Sequence, residues 1–531
     1  MPEHLLLYLI SGFGACVLSL AITPLVRHLA RLRGFVDRPD GRRKTHREAV
    51  ALGGGAALLV SVLATIGVVL AYATYTGFPL INTANFVPLC ALAVGAVGIV
   101  LLGLLDDLVG LRGRHKLLGQ FAVVGLLIYG GIEIEAFSVF GHNIELGWFV
   151  IPATAFWLIG TTNAINLIDG IDGLAGSIGF ILSLTVAAIA GWQGHVMETC
   201  IMLALAGAQL GFLRYNFAPA SIYLGDAGSM FIGLVCGTIA VISCAKASTA
   251  MAFAVPIAVW LVPIVDSFAA LVRRKMTGRS MFTPDRGHLH HSLLVRGWTV
   301  QQAALFIALI SATTCLSAVL SFYMRNELIA LMTIVAVMLF LIFTRTFGHI
   351  EFALVRDRMS RYAKSLVGAT PHDATKLRES CIQLQGSREW RKLWAAIVES
   401  AETHRLLKIQ LSIHIPAIHE AFYATWECPK SSKPSAERTW RVGHPLLLDD
   451  EVVGKLEIVG QVTQGSTIAH VIHALEFLEP IEDDIRQIRE SLDTEPTKVR
   501  VGKTDAAIAP LLSQPHPAPF DSPEKGVSLA K

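Results

Sequence analysis

Long apolar runs separated by short polar loops fill the first two-thirds of this 531-residue chain. A membrane-crossing helix needs about 20 mostly apolar residues, and that window picks out 4–26, 50–74, 87–105, 117–132, 148–167 and 174–191. It also picks out 198–213, 227–244, 249–271, 299–322 and 328–345, about eleven spans in all. After Phe347 the pattern turns charged and mixed. Helical stretches are predicted around 373–405 and 468–491, with alternating, strand-like runs "LKIQLSIHI" (407–415) and "VVGKLEIVG" (452–460). The last residues, with "QPHPAPFDSPEKG", read as a disordered tail. The expected fold is an all-α polytopic membrane protein of about 11 transmembrane helices with a cytoplasmic α/β C-terminal domain. Its predicted parts are a membrane domain over 1–347, a soluble domain over 351–491 and a tail over 492–531.

Composition agrees, with 53% hydrophobic and 16% charged residues against about 25% charged in soluble chains. The net charge of +3 matters less than where the charge sits. Arg27, Arg31, Arg33, Arg38, Arg42, Arg43, Lys44 and Arg47 follow the first span. Arg112, Arg114 and Lys116 follow the third, and Arg273, Arg274, Lys275, Arg279, Arg286 and Arg296 the ninth. The opposite loops 75–86, 133–147 and 192–197 hold no Lys or Arg, and the remaining two hold only Lys246 and Arg325. Because basic residues collect on the cytoplasmic side, the N-terminus is expected outside and the C-terminus in the cytoplasm. The basic loop 27–47 serves mainly as a topology determinant that also touches membrane lipid; no nucleic-acid partner is expected. Among eight cysteines there is no CxxC or Cys/His zinc spacing, so neither disulfides nor structural zinc is expected. The first apolar run lacks a basic leader and is expected to remain as a span.

The conspicuous polar residues all fall at predicted cytoplasmic ends. Asp106 and Asp107 close span three; Asn163, Asn166, Asp169 and Asp172 close span five in "NAINLIDGIDG"; Asp226 opens span eight in "YLGDAGSMFIG". Asp266 lies near the inner end of span nine, ahead of "FTPDRGHLHHSL" with Arg286, His288, His290 and His291. Asn163 and Asn166, three apart, are neighbours on a helix face. Gly170 and Gly173 let the backbone leave helical geometry, so that Asp169 and Asp172 point into a shared space. Carboxylates gathered this closely repel unless a cation intervenes, and hard divalent ions prefer such oxygens. A Mg2+ site is therefore expected, with Mn2+ as an alternative. Lys116, Arg286 and the histidines add positive or donor groups, which together with a metal suit a diphosphate undergoing phosphoryl transfer. Any single acid could merely anchor a helix end, and Gly53, Gly54 and Gly55 are expected as close helix contacts rather than ligand sites. A transporter or a decayed membrane scaffold are the non-enzymatic alternatives, but transporter sites favour the bilayer midplane.

The stretches "LLGLLDDLVGLRGRHKLL", "NAINLIDGIDGLAGS", "YLGDAGSMFIG" and "GRSMFTPDRGHLHHSL", in this order, resemble the polyprenyl-phosphate N-acetylhexosamine-1-phosphate transferases. The likeness is greatest to the bacterial undecaprenyl-phosphate N-acetylglucosamine-1-phosphate transferases and covers roughly residues 1–345. It implies transfer of a sugar 1-phosphate from a UDP-sugar to undecaprenyl phosphate with release of UMP, beginning a cell-envelope polysaccharide such as O-antigen. The setting it implies is the cytoplasmic face of the bacterial inner membrane, and the arrangement admits a homodimer. By motif, Asp226 and Asn166 would hold Mg2+, Asp106 would orient or deprotonate the lipid phosphate, and Asp107 would support it. Asp169 would hold the surrounding loop and Asp172 would lie near the uracil, with Asn163 beside them in the substrate pocket. Lys116, Arg286, His288, His290 and His291 would contact the diphosphate and sugar phosphate. The "HLHH" form favours the N-acetylglucosamine branch over the branch that handles MurNAc-pentapeptide.

Overall fold

The computed structural model describes residues 3–37, 49–80, 83–140, 142–245, 254–276 and 288–349, and shorter segments between 351 and 461. The basic stretch 38–48, Lys246, the loop carrying Arg279 and Arg286, the expected helix 468–491 and the tail 492–531 lie outside the described residues.

Eight described helices are long and apolar enough to cross a membrane. In chain order the helices are α1 (His4–Leu32), α2 (Gly54–Thr76), α3 (Thr83–Val109) and α4 (Gly113–Tyr129). Next come α5 (Val150–Ile168), α6 (Leu174–Trp192), α7 (Val196–Asn216) and α8 (Gly225–Ala245). The series ends with α9 (Ala254–Val259), α10 (Leu261–Met276), α11 (Leu289–Val295), α12 (Val300–Tyr323) and α13 (Glu327–Phe343). The eight are all of these but α4, α9, α10, α11 and α13. The three other expected spans are helical but short or broken. The 117–132 span is the 17-residue α4, the 328–345 span is the 17-residue α13, and the described part of 249–271 divides at Trp260 into α9 and α10. Pro263 explains that division, because it has no N–H to offer the carbonyl of Val259; the thiol of Cys315 donates to that oxygen instead, at 3.7 Å.

The most enclosed of the eight spans is α8, and small residues let its neighbours approach. Gly55 lies against the backbone of Gly228, and Gly103 against that of Ala227, with no room for a Cβ. Outward-facing Phe13, Leu101, Phe156, Leu309 and Phe343 leave an apolar surface suited to lipid. The loop 222–224 ties the elements together at one end. The carbonyls of Tyr223 and Leu224 accept from the first free N–H groups of α2, Gly54 and Gly55, both at 3.1 Å.

Beyond the helices lies a five-stranded antiparallel sheet, ordered β5-β7-β6-β9-β8. Its strands are β5 (Glu379–Gln385), β6 (Lys408–Ile415), β7 (Glu420–Glu427), β8 (Thr439–Leu448) and β9 (Glu451–Gln461); earlier in the chain β1 (Val36–Asp37) pairs with β2 (Val50–Ala51) and β3 (Ala136–Val139) with β4 (His142–Glu145), both antiparallel. The strands anticipated at 407–415 and 452–460 are present, and alternate residues Ile409, Leu411 and Ile413 are buried. The expected helix over 373–405 is corrected: residues 379–385 are a strand paired with β7, and the helix is α14 (Trp390–Thr403) alone. Trp390 of α14 stacks on Phe422 of β7, ring centroids 6.3 Å apart.

Candidate active site at the convergent helix ends

Four elements bring one polar side chain each to a single point. The ammonium of Lys116, at the start of α4, lies 3.0 Å from Asp106 Oδ2 of α3 and 2.5 Å from Asp226 Oδ2 of α8. It also donates to Asn166 Oδ1 of α5 at 3.0 Å. Asn166 closes the circle, its Nδ2 donating to Asp226 Oδ1 at 2.7 Å and to Ser229 Oγ at 3.0 Å.

One helical turn further along α4 a second rung repeats the pairing. Gln120 and Asn163 exchange hydrogen bonds at 2.7 and 3.1 Å, and Gln120 Nε2 also reaches Met230 Sδ at 3.2 Å. Gln120 follows Lys116 by four residues and Asn163 precedes Asn166 by three, so both rungs lie on facing sides of α4 and α5. Asn163, anticipated in the substrate pocket, thus engages Gln120 and the carbonyl of Ile159.

Asp106 and Asp107 are adjacent in sequence but take different tasks, since neighbouring helical residues point about 100° apart. Asp106 faces Lys116, and its other oxygen accepts from Leu111 N at 2.7 Å. Asp107 faces the start of α8 and accepts from the backbone of Asp226 at 2.9 Å and of Ala227 at 3.4 Å. It acts as an N-cap supplied by another helix. Gly225 makes this possible: its φ is +70°, and a Cβ there would lie 2.6 Å from Asp107 Oδ2.

The chain after α5 turns through Gly173, φ +75°, as the glycine spacing suggested. Asp172 Oδ2 accepts from Ala220 N at 2.9 Å, holding the loop between α7 and α8. Burial, then the carboxylates of Asp226, Asp107 and Asp172, push Asp169 well above the usual carboxylate range. Gly170 has a packing task, because the ring of His290 occupies the space a side chain would need.

The histidines begin the short helix α11. His288 Nδ1 lies 2.9 Å from Asp266 Oδ2, and the backbone N–H of Leu289 donates to Asp266 Oδ1 at 2.8 Å. The rings of His288 and His290 are parallel at 5.7 Å, and His291 tilts against His290 at 4.3 Å. Burial, then His291, lowers His290 to about 3, so it is neutral at pH 7.

No group of three or more His, Cys, Asp or Glu side chains among the described residues is arranged to hold a metal by itself. The donor chemistry at Lys116 nevertheless fits a hard divalent ion: two carboxylates and an amide oxygen already surround one positive charge. Sequence reasoning singled out Asp106, Lys116, Asn166 and Asp226 but missed Gln120 and Ser229. The signal for Gln120 was its position one turn from Lys116; Ser229 follows Asp226 by three.

The model for glycosyl transferase family 4 matches residues 89–244, a stretch that contains all four converging residues. The chain is similar to a Bacillus subtilis protein described as a probable undecaprenyl-phosphate N-acetylglucosaminyl 1-phosphate transferase, 34% identical over 321 residues, 60% of this chain and 86% of that one. It is 31% identical over 331 residues to the decaprenyl-phosphate N-acetylglucosaminephosphotransferase of Mycolicibacterium smegmatis, 56% of this chain and 78% of that one. It is also 30% identical over 328 residues to a phospho-N-acetylmuramoyl-pentapeptide-transferase of a Thermoanaerobacter species, 58% of this chain and 96% of that one.

Proposed function

Because this chain belongs to glycosyl transferase family 4, as a polyprenyl-phosphate hexosamine-1-phosphate transferase and multi-pass membrane protein, we propose that it transfers N-acetylglucosamine 1-phosphate from UDP-N-acetylglucosamine to undecaprenyl phosphate. An oxygen of the lipid phosphate attacks the sugar-bound phosphorus; the bond to the other phosphate breaks and UMP leaves. The observation that carries this reading is the convergence of Asp106, Asn166 and Asp226 on the Lys116 ammonium.

Asp226 and Asn166 would hold Mg2+. When bound, the ion supplies charge neutralisation across the diphosphate as UMP departs. The chain's own groups do the rest. Lys116 lowers the repulsion between two approaching anions. A phosphate with a second pKa of about 6 is largely a dianion at neutral pH, so Asp106 orients the acceptor rather than serving as a strong base. Asp107 fixes the start of α8 and through it Asp226. His288, His290 and His291, with Arg286, would serve the sugar phosphate.

The basic loops support eleven crossings, an outer N-terminus and a site on the cytoplasmic face of the bacterial inner membrane. The described sheet beyond residue 379 contributes no side chain to this set of reacting groups, and a cytoplasmic place for it follows from the same orientation.

The test is transfer of label from UDP-N-acetylglucosamine to undecaprenyl phosphate by the purified protein, with UMP counted alongside. Equal amounts of glycolipid and UMP, abolished by chelator and restored by Mg2+, are expected; no transfer with any metal would end the reading. UDP-MurNAc-pentapeptide in the same panel separates the branch represented by the Thermoanaerobacter relative.

A further inference from the structure

The geometry points to Asp266 as the positioning residue of the reaction: its carboxylate fixes the ring of His288 and the first turn of α11 in one bidentate grip. Asp266 is only 3% exposed and His288 6%, so the pair is held inside the protein. One carboxylate oxygen meets His288 Nδ1 at 2.9 Å and the other receives Leu289 N–H at 2.8 Å. A carboxylate acceptor requires the hydrogen on Nδ1, which leaves Nε2 as the ring nitrogen that can accept from or face a ligand. The ring can then neither spin nor exchange tautomers without losing a buried bond.

The platform carrying Asp266 is itself pinned. Seven residues along the same face of α10, Arg273 is paired with buried Glu351 and lies over the Phe347 ring at 5.9 Å. At the far end of α11, Arg296 donates to the carbonyls of Thr344 and Arg345. The histidine helix is thus held at both ends, and at the Asp266 end the grip includes a histidine ring. Carboxylates that orient a metal-bound histidine typically matter by about ten- to a hundredfold, and an effect of that order is expected for a histidine that faces a ligand directly.

This inference rests on His288 serving the transfer reaction, and its test separates the two. Asp266→Asn keeps an oxygen for Leu289 N–H but turns an amide donor toward Nδ1. In the purified protein, 15N spectra of the His288 ring should show hydrogen on Nδ1 in the wild type and a shift toward the other tautomer in Asp266→Asn, whether or not turnover is measured. Turnover should fall about ten- to a hundredfold in both Asp266→Asn and Asp266→Ala. Added to His288→Ala, Asp266→Asn should cost nothing further, because it keeps the Leu289 bond and the ring it acts through is gone. Unchanged His288 spectra, near-normal turnover in Asp266→Asn, or losses that multiply with His288→Ala would each overturn the assignment. No turnover in the wild type with the expected spectra would overturn the transfer reading while leaving the Asp266 hold on the His288 ring established.

Discussion

The two halves of the candidate site organise their polar groups by opposite means. At the convergent helix ends, Asp106, Asp226 and Asn166 gather around the Lys116 ammonium at 2.5 to 3.0 Å, each polar group facing another. At the histidine helix, burial keeps His290 neutral, and a single carboxylate, Asp266, organises the segment. The first arrangement suits a cation or a shifting phosphate charge, since any positive group entering finds oxygens already aligned. The second suits recognition through fixed donors and acceptors. Substitutions in the first half should therefore alter charge balance and rate, and those in the second should act through geometry.

The largest contrast is expected at Asp226. Asp226→Asn keeps the shape but removes the charge that Lys116 and Asn166 both engage, and turnover should fall about a hundred- to a thousandfold in a labelled-sugar assay. Asp106 and Asp107 sharpen the comparison within one half. Asp106→Asn should approach the Asp226 effect. Asp107→Asn keeps an acceptor for the closer Asp226 N–H, losing only the longer bond from Ala227 N, and should cost only a few-fold, while Asp107→Ala loses the cap and about 1 kcal/mol in thermal unfolding. Next comes the second rung. Gln120→Leu leaves the Asn163 amide without its partner, costing about 1–3 kcal/mol of stability and about tenfold in turnover through a shifted α4–α5 register. The smallest effect concerns protonation: with His290 depressed to about 3, its ring takes up a proton only below that pH. Its carbon-bound ring resonances should stay flat between pH 5 and 8, and a titration midpoint near 6.5 would contradict the buried, neutral assignment.

Much of the membrane part was legible because apolar length and basic loops act along the chain itself. The gathering of Asp106, Asn166 and Asp226 was legible from their common placement at helix ends. Which partner each acid takes was not, since Asp106 and Asp107 differ only by a 100° rotation whose direction depends on where α8 starts. Gln120 was missed because a polar residue in a short span carries no local mark of the residue opposite it. The break at Trp260 was missed because 249–271 reads as one apolar run despite Pro263. In the C-terminal part, "ESCIQLQ" alternates with period two inside a window that looked helical overall, and its pairing with β7 decides the matter. Strand β8 was hidden by Pro445 and Gly443, which a strand at the sheet edge tolerates.

The most direct measurement is Mn2+ electron paramagnetic resonance on the purified protein, used as a spectroscopic stand-in for Mg2+. One bound ion per chain is expected in the wild type and in Asp107→Asn, with affinity sharply reduced in Asp226→Asn and Asn166→Ala. Undiminished binding in those last two variants would contradict a cation site built from these helix ends.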